Sequence, residues 1–137
     1  MAEHSHAERV RARATAILAG VAMLGVAFLP LGFVLGFESP SLWPATWAAY
    51  AVAGAALGFL WPQWGWRLGA WLSAVWLPLL ALALLFSDGP LLGPASWKGL
   101  LQDAAAYSLI LVASCLGAEL GALIGRRRIS GPSSGRT

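Results

Sequence analysis

Glu119 is the one carboxylate set well inside an uncharged apolar run, within Asp103–Arg128, DAAAYSLILVASCLGAELGALIGRRR. A carboxylate among leucines and isoleucines can tie helices together through a hydrogen bond or ion pair, exchange a proton or cation, or meet a polar group on another subunit. The structural tie carries the most weight of the three, because two arginines are within reach. Arg126 follows on the same helical face, roughly 10 Å along the axis, and Arg67 opens a neighbouring apolar run. An unpaired carboxylate in the inner half of a bilayer costs about 2 to 3 kcal/mol on insertion scales. The surrounding apolar side chains, at roughly half a kcal/mol each, offset this.

The rest of the chemical inventory is sparse. Thr15, Thr46, Tyr50, Ser73, Tyr107, Ser108 and Ser114 are single hydroxyls, expected to bond back to their own helices. The only histidines, His4 and His6, precede the apolar runs and read as solvated. The lone cysteine, Cys115, builds no disulfide, redox pair or cysteine zinc site by itself. The sequence has no phosphate-binding glycine loop, no Ser/His/Asp set and no close carboxylate pair. The reading is non-catalytic, with no cofactor and no metal.

At about 100° per residue, Ser108, Val112, Cys115, Leu123 and Arg126 share the face of Glu119. Asp103, Tyr107, Ser114, Gly117, Gly121 and Gly125 fall on the opposite face, so the GxxxGxxxG run is turned away from the carboxylate. Gly54 and Gly58 repeat the spacing in an earlier run, as do Gly32 with Gly36 and Gly65 with Gly69. Helices bearing such faces approach closely and gain dispersion contacts that lipid does not offer. Packing within the chain is the first reading, and an oligomer interface is the second.

The elements that must position these groups are transmembrane. The chain is 58% hydrophobic and 11% charged, with a mean hydropathy of +0.70. Soluble domains carry about 25% charged residues. The fold class is an all-α integral membrane protein with four spans in two hairpins, at about 14–37, 42–61, 68–86 and 103–125. A polar cytoplasmic tail, 1–13, precedes this single domain, 14–128, and a disordered tail, 129–137, follows it. The first run is too long for a signal-peptide core and lacks a cleavage site after it. Pro30 and Pro78 lie inside the first and third spans, and a kink is expected at Pro30. Glu38 to Ser41 forms a turn, and the helix restarts near Ser96, as an interfacial turn ahead of the fourth span.

Counting basic residues sets orientation. Arg9, Arg11, Arg13, Arg67, Arg126, Arg127, Arg128 and Arg136 share one side and Lys98 the other, so both termini are cytoplasmic. Trp43, Trp47 and Trp97 at the outer ends, and Trp61, Trp64 and Trp66 at the inner turn, read as interface anchors. Trp71 and Trp76 lie deeper and read as packing residues. The net charge of +3 and a pI near 9.8 report topology rather than a nucleic-acid partner, and the arginine triplet also attracts anionic lipid.

Two hairpins carry similar words: FLPL and PATW in the first, WLPL and PASW in the second, each followed by AAY. A duplication would make a parallel repeat about an axis along the membrane normal. The expected role is that of a small multi-pass protein of the cell (plasma or bacterial inner) membrane. It would act as an accessory or packing subunit or as a homo-oligomer, with lipid, itself or other membrane subunits as partners. The alternative is a small oligomeric transporter or channel with Glu119 as its proton-sensitive site. Four spans, one embedded glutamate and many aromatics resemble the format of the small multidrug resistance transporters. Their glutamate lies in the first span, however, and no sequence motif is shared.

Overall fold

The computed structural model describes residues 2–36, 39–86 and 94–131; Glu38, the 87–93 connection and the 132–137 tail lie outside them, as do the side chains of Trp97 and Asp103. Among the described residues every regular element is helical. In chain order these are α1 (Ala2–Met23), a π-helical turn (Leu24–Phe28), α2 (Leu29–Leu35), α3 (Leu42–Leu60), α4 (Trp66–Ser73), α5 (Trp76–Phe86) and α6 (Pro94–Ile129). Two helical stretches are long and apolar enough to cross a bilayer, Ser5–Leu35 with 31 residues and Ala104–Ile129 with 26. Only 11% of the apolar window in the first is buried, and 39% in the second. A soluble core helix would hide most of that surface, whereas here Leu18, Val26, Phe33, Leu116 and Leu120 point outward.

Proline accounts for both interruptions. Pro30 lacks an amide and its ring opposes the carbonyl four residues back, and the chain widens ahead of it into the π-helical turn. The Leu29 amide there reaches back to the Leu24 carbonyl. Pro78 acts similarly: α4 stops at Ser73, and the amides of Ala74 and Leu77 make tighter bonds, to Trp71 (3.2 Å) and Ala74 (3.2 Å). Pro44, by contrast, sits in the first turn of α3, where no amide partner is lost.

Two helices extend beyond the expected spans. Residues 2–13, expected as a tail, are the first turns of α1, with Ala12 and Ala16 fully buried; these small side chains let the helix lie against α4, where Gly20 meets the Leu72 carbonyl. The helix expected to restart near Ser96 does so at Pro94, which needs no amide partner, and continues unbroken through residues 94–102 into the rest of α6.

The most extensive packing joins α3 to α6. A Cβ on Gly54 or Gly58 would strike the carbonyl of Ser114 or Ala118, and one on Gly117 or Gly121 would strike that of Ala51 or Ala55. Residue numbers rise together on both sides, so the helices run parallel. Each glycine directs a Cα hydrogen at a facing carbonyl, which adds weak C–H···O attraction to dispersion. Gly69 of α4 meets the Ser114 carbonyl as well, so three helices converge on Ser114.

This arrangement predicts a position-dependent response to one added methyl group. Gly121→Ala and Gly58→Ala should each lower the free energy of unfolding by about 1 to 3 kcal/mol through overpacking against backbone. Gly25→Ala, whose methyl would meet nothing within 4 Å, should leave stability unchanged or raise it by up to about 1 kcal/mol. Denaturant titrations in detergent showing equal effects at the three positions would contradict the packing.

Candidate functional site: the Glu119 cap

The turn between α3 and α4 is shaped by its own residues. Pro62 forces Trp61 out of helical geometry (φ −127°, ψ 71°) and ends α3. Gly65 adopts φ +45°, in the left-handed region, and turns the chain into α4. The Arg67 and Leu68 amides find turn carbonyls at Trp64 and Gly65, both at 3.1 Å. The Trp66 amide instead donates to Glu119 Oε2 at 3.1 Å. A side chain from α6 therefore caps α4, where a negative charge also meets the positive end of the helix dipole. A Cβ at Gly65 would also meet the Glu119 carboxylate, which would have to shift away from the Trp66 amide.

Arg126 completes the site. Its Nε and Nη2 donate to the Pro62 carbonyl at 3.1 and 3.0 Å, and its Nη1 lies 3.9 Å from Glu119 Oε1. With the two side chains 51% and 39% exposed, the ion pair is the weaker contact. The fork onto Pro62 is the stronger one, since a charged donor meets a backbone carbonyl of the turn beyond α3. Arg67 is exposed, and its guanidinium makes neither hydrogen bond nor ion pair among the described residues. The structure thus brings Glu119 and Arg126 together and leaves Arg67 apart.

The glycines are placed elsewhere on α6. Gly117, Gly121 and Gly125 face Ala51, Ala55 and Phe59 of α3, while Glu119 reaches the start of α4. Among the expected interface tryptophans, Trp43, Trp47, Trp61 and Trp64 pack against the core, and Trp66 is 56% exposed. Trp76 lies against Phe28, Trp43 and Tyr50, with ring centres 5.1, 6.2 and 6.1 Å away. Trp71 is exposed at 38%.

Thr46, Ser73 and Ser108 bond back to their own helices at Leu42, Ala70 and Ala104. Two hydroxyls do more. Tyr50 donates to the Gly20 carbonyl of α1 at 3.1 Å, since a phenol hydroxyl stands too far from its own backbone to bond back to it. Ser114 shares its one hydroxyl proton between the carbonyls of Leu111 and, on α4, Gly69, both at 3.0 Å. Sequence reasoning missed both cross-links, and it missed the Gln63–Glu8 hydrogen bond (3.0 Å) that fastens α1 to the same turn. The tyrosine's reach was the available signal.

Substitutions should separate the cap from the ion pair. Glu119→Gln keeps an acceptor for the Trp66 amide and should cost under about 1 kcal/mol. Glu119→Ala removes the cap and should cost about 1 to 2 kcal/mol, while Arg67→Ala should be neutral. If Gln is as damaging as Ala in thermal unfolding, charge rather than capping holds the turn.

No protein-family model, curated protein or solved structure matches the chain. The geometry of Glu119 and its partners carries the functional reading alone.

Proposed function

We propose that the chain is a four-span protein of the cell membrane with both termini cytoplasmic, acting without catalysis as an accessory or packing subunit or as a homo-oligomer. One observation carries this reading: polar side chains in the apolar helices make intramolecular bonds that tie helix to helix. Tyr50 bonds Gly20, Ser114 bonds Gly69 and Glu119 bonds Trp66. Glu119 is thus committed to the cap of α4, which favours the structural tie over a proton-exchanging site.

The topology has separate support. Arg9 lies over Trp64, Arg126 on Pro62 and Arg128 over Phe59, all around the turn that bears Arg67. Lys98 belongs to the opposite end of α6. The parallel α3–α6 pair and the interruptions ahead of both Pro30 and Pro78 agree with a parallel repeat, and its equivalent residues Phe28 and Trp76 touch across the two halves. The α3–α6 glycines are occupied within the chain, so the outward apolar faces of α2 and α6 are the surfaces left for lipid or another subunit.

Single cysteines at Ser5, Lys98 and Ser130, in a Cys115→Ala background, test the topology. An impermeant maleimide should reach positions 5 and 130 from the cytoplasmic side and position 98 from the other side; labelling of all three from one side would refute four spans. In detergent the protein should run as an oligomer or with a co-purifying subunit, and a monodisperse monomer without partner would count against the assembly role. In liposomes, Glu119→Gln should leave proton, cation and aromatic-amine flux unchanged. Loss of a flux shown by the parent protein would favour the transporter reading instead.

A further inference from the structure

The arginines at the basic end are not equivalent. Arg126 is bonded to Pro62 and faces Glu119, and Arg128 lies over Phe59 of α3. A different set gathers along the seam between α1 and α4. Arg9 and Arg13 are one helical turn apart on α1, and their guanidinium carbons lie 5.2 Å from the Trp64 ring centre and 5.5 Å from that of Trp71. Arg67 and Trp71 share a face of α4 at i, i+4 spacing. Arg13 therefore lies over an exposed indole whose own helix carries Arg67 one turn earlier on the same face.

Stacking fixes the plane of a guanidinium without occupying its N–H groups. Among the described residues the guanidinium groups of Arg9, Arg13 and Arg67 make no hydrogen bond and no ion pair, and all three residues are exposed. The described carboxylate beside them, on Glu8, accepts from Gln63 at 3.0 Å, and Glu119 is held by Trp66 and Arg126 across the turn. Two oriented forks and a third cation thus stand with their donors open. Below them the seam turns apolar: Ile17, one turn beyond Arg13, is 38% exposed, as is Trp71.

We infer that Arg9, Arg13 and Arg67 form a headgroup site for one anionic phospholipid. The phosphate is gripped by the forks of Arg13 and Arg67, and the acyl chains run along Trp71 and Ile17. Phosphate oxygens match the planar guanidinium fork, and the apolar continuation of the seam selects a lipid over a soluble phosphate. The inference rests on the membrane reading above and names the lipid class for one surface of it.

The test uses the full-length protein in neutral detergent, titrated with phosphatidylglycerol or phosphatidylcholine, with lipid binding read by native mass spectrometry and thermal unfolding. Phosphatidylglycerol should bind as one retained molecule and raise the melting temperature, whereas phosphatidylcholine and glycerol phosphate should do neither. The R13Q/R67Q double variant should lose affinity about thirtyfold, roughly fivefold for each removed cation. R11Q, at an exposed arginine on the far side of α1 from Arg9 and Arg13, should bind like the parent. Equal loss in R11Q, or equal binding of both lipids, would overturn the site, and binding of glycerol phosphate would show an anion site without lipid selectivity and overturn it too. The double variant's melting temperature in phosphatidylcholine checks that it folds. Carbonate extraction of cell membranes separates the two levels. Protein released by carbonate refutes the membrane reading, whereas protein retained by carbonate but indifferent to phosphatidylglycerol refutes only the lipid site.

Discussion

Close approach of backbone to backbone is the constraint on which the structure depends. Where α3 and α6 cross, glycine hydrogens of each helix lie against carbonyls of the other, at Gly54, Gly58, Gly117 and Gly121. In the membrane setting proposed above, lipid chains are as apolar as leucine, so burial of apolar side chains gives no preference for helix over lipid. Dense dispersion contact and weak C–H···O bonds supply that preference, and both fall off steeply with distance. The contact also sets the height of Ser114, whose carbonyl is shared by Gly54 of α3 and Gly69 of α4 and whose hydroxyl bonds Gly69. Fixing α6 against α3 therefore fixes α4 as well.

Glu119 depends on the same registration. Its carboxylate caps α4 because Ser114, little more than one turn earlier, has already brought α4 against α6. Gly65 then admits the carboxylate at a place where a Cβ would make it shift. Arg126 secures the preceding carbonyl of Pro62, so α6 reaches both sides of one tight turn. From the other side α1 reaches it too, through Glu8 on Gln63 and Arg9 over Trp64. The basic end is thus the place where three parts of the chain are fastened, and its residual positive charge follows from using arginine both as a carbonyl clamp and as a stacking group.

Much of the helical layout was legible in the sequence. The bounds of α3 follow from Ser41, Pro44 and Pro62, and breaks in the first and third apolar runs follow from Pro30 and Pro78, because proline's missing amide acts locally whatever surrounds it. The glycine face of α6 was legible from spacing, but its partner was not, since Gly54/Gly58 and Gly65/Gly69 offer the same spacing to it. Arg67 and Arg126 were equally plausible for Glu119, because sequence gives distance along a helix and not azimuth between helices. The cap on the Trp66 amide was hidden for a further reason: backbone groups have no letter in the sequence. Residues 2–13 read as a tail by their polarity, although Ala12 and Ala16 already carried the small-residue spacing that packs against α4.

The claim most exposed to test is the parallel registration of α3 and α6, and pairwise cysteine cross-linking in a Cys115→Ala background measures it directly. With a short bifunctional maleimide, Phe59→Cys should join Arg128→Cys within one chain, since the Arg128 guanidinium lies 5.2 Å from the Phe59 ring centre. Phe59→Cys paired with Lys98→Cys, at the far end of α6, should not react. Efficient cross-linking of the second pair with failure of the first would contradict the parallel pairing and the placement of Ser114 and Glu119 that rests on it.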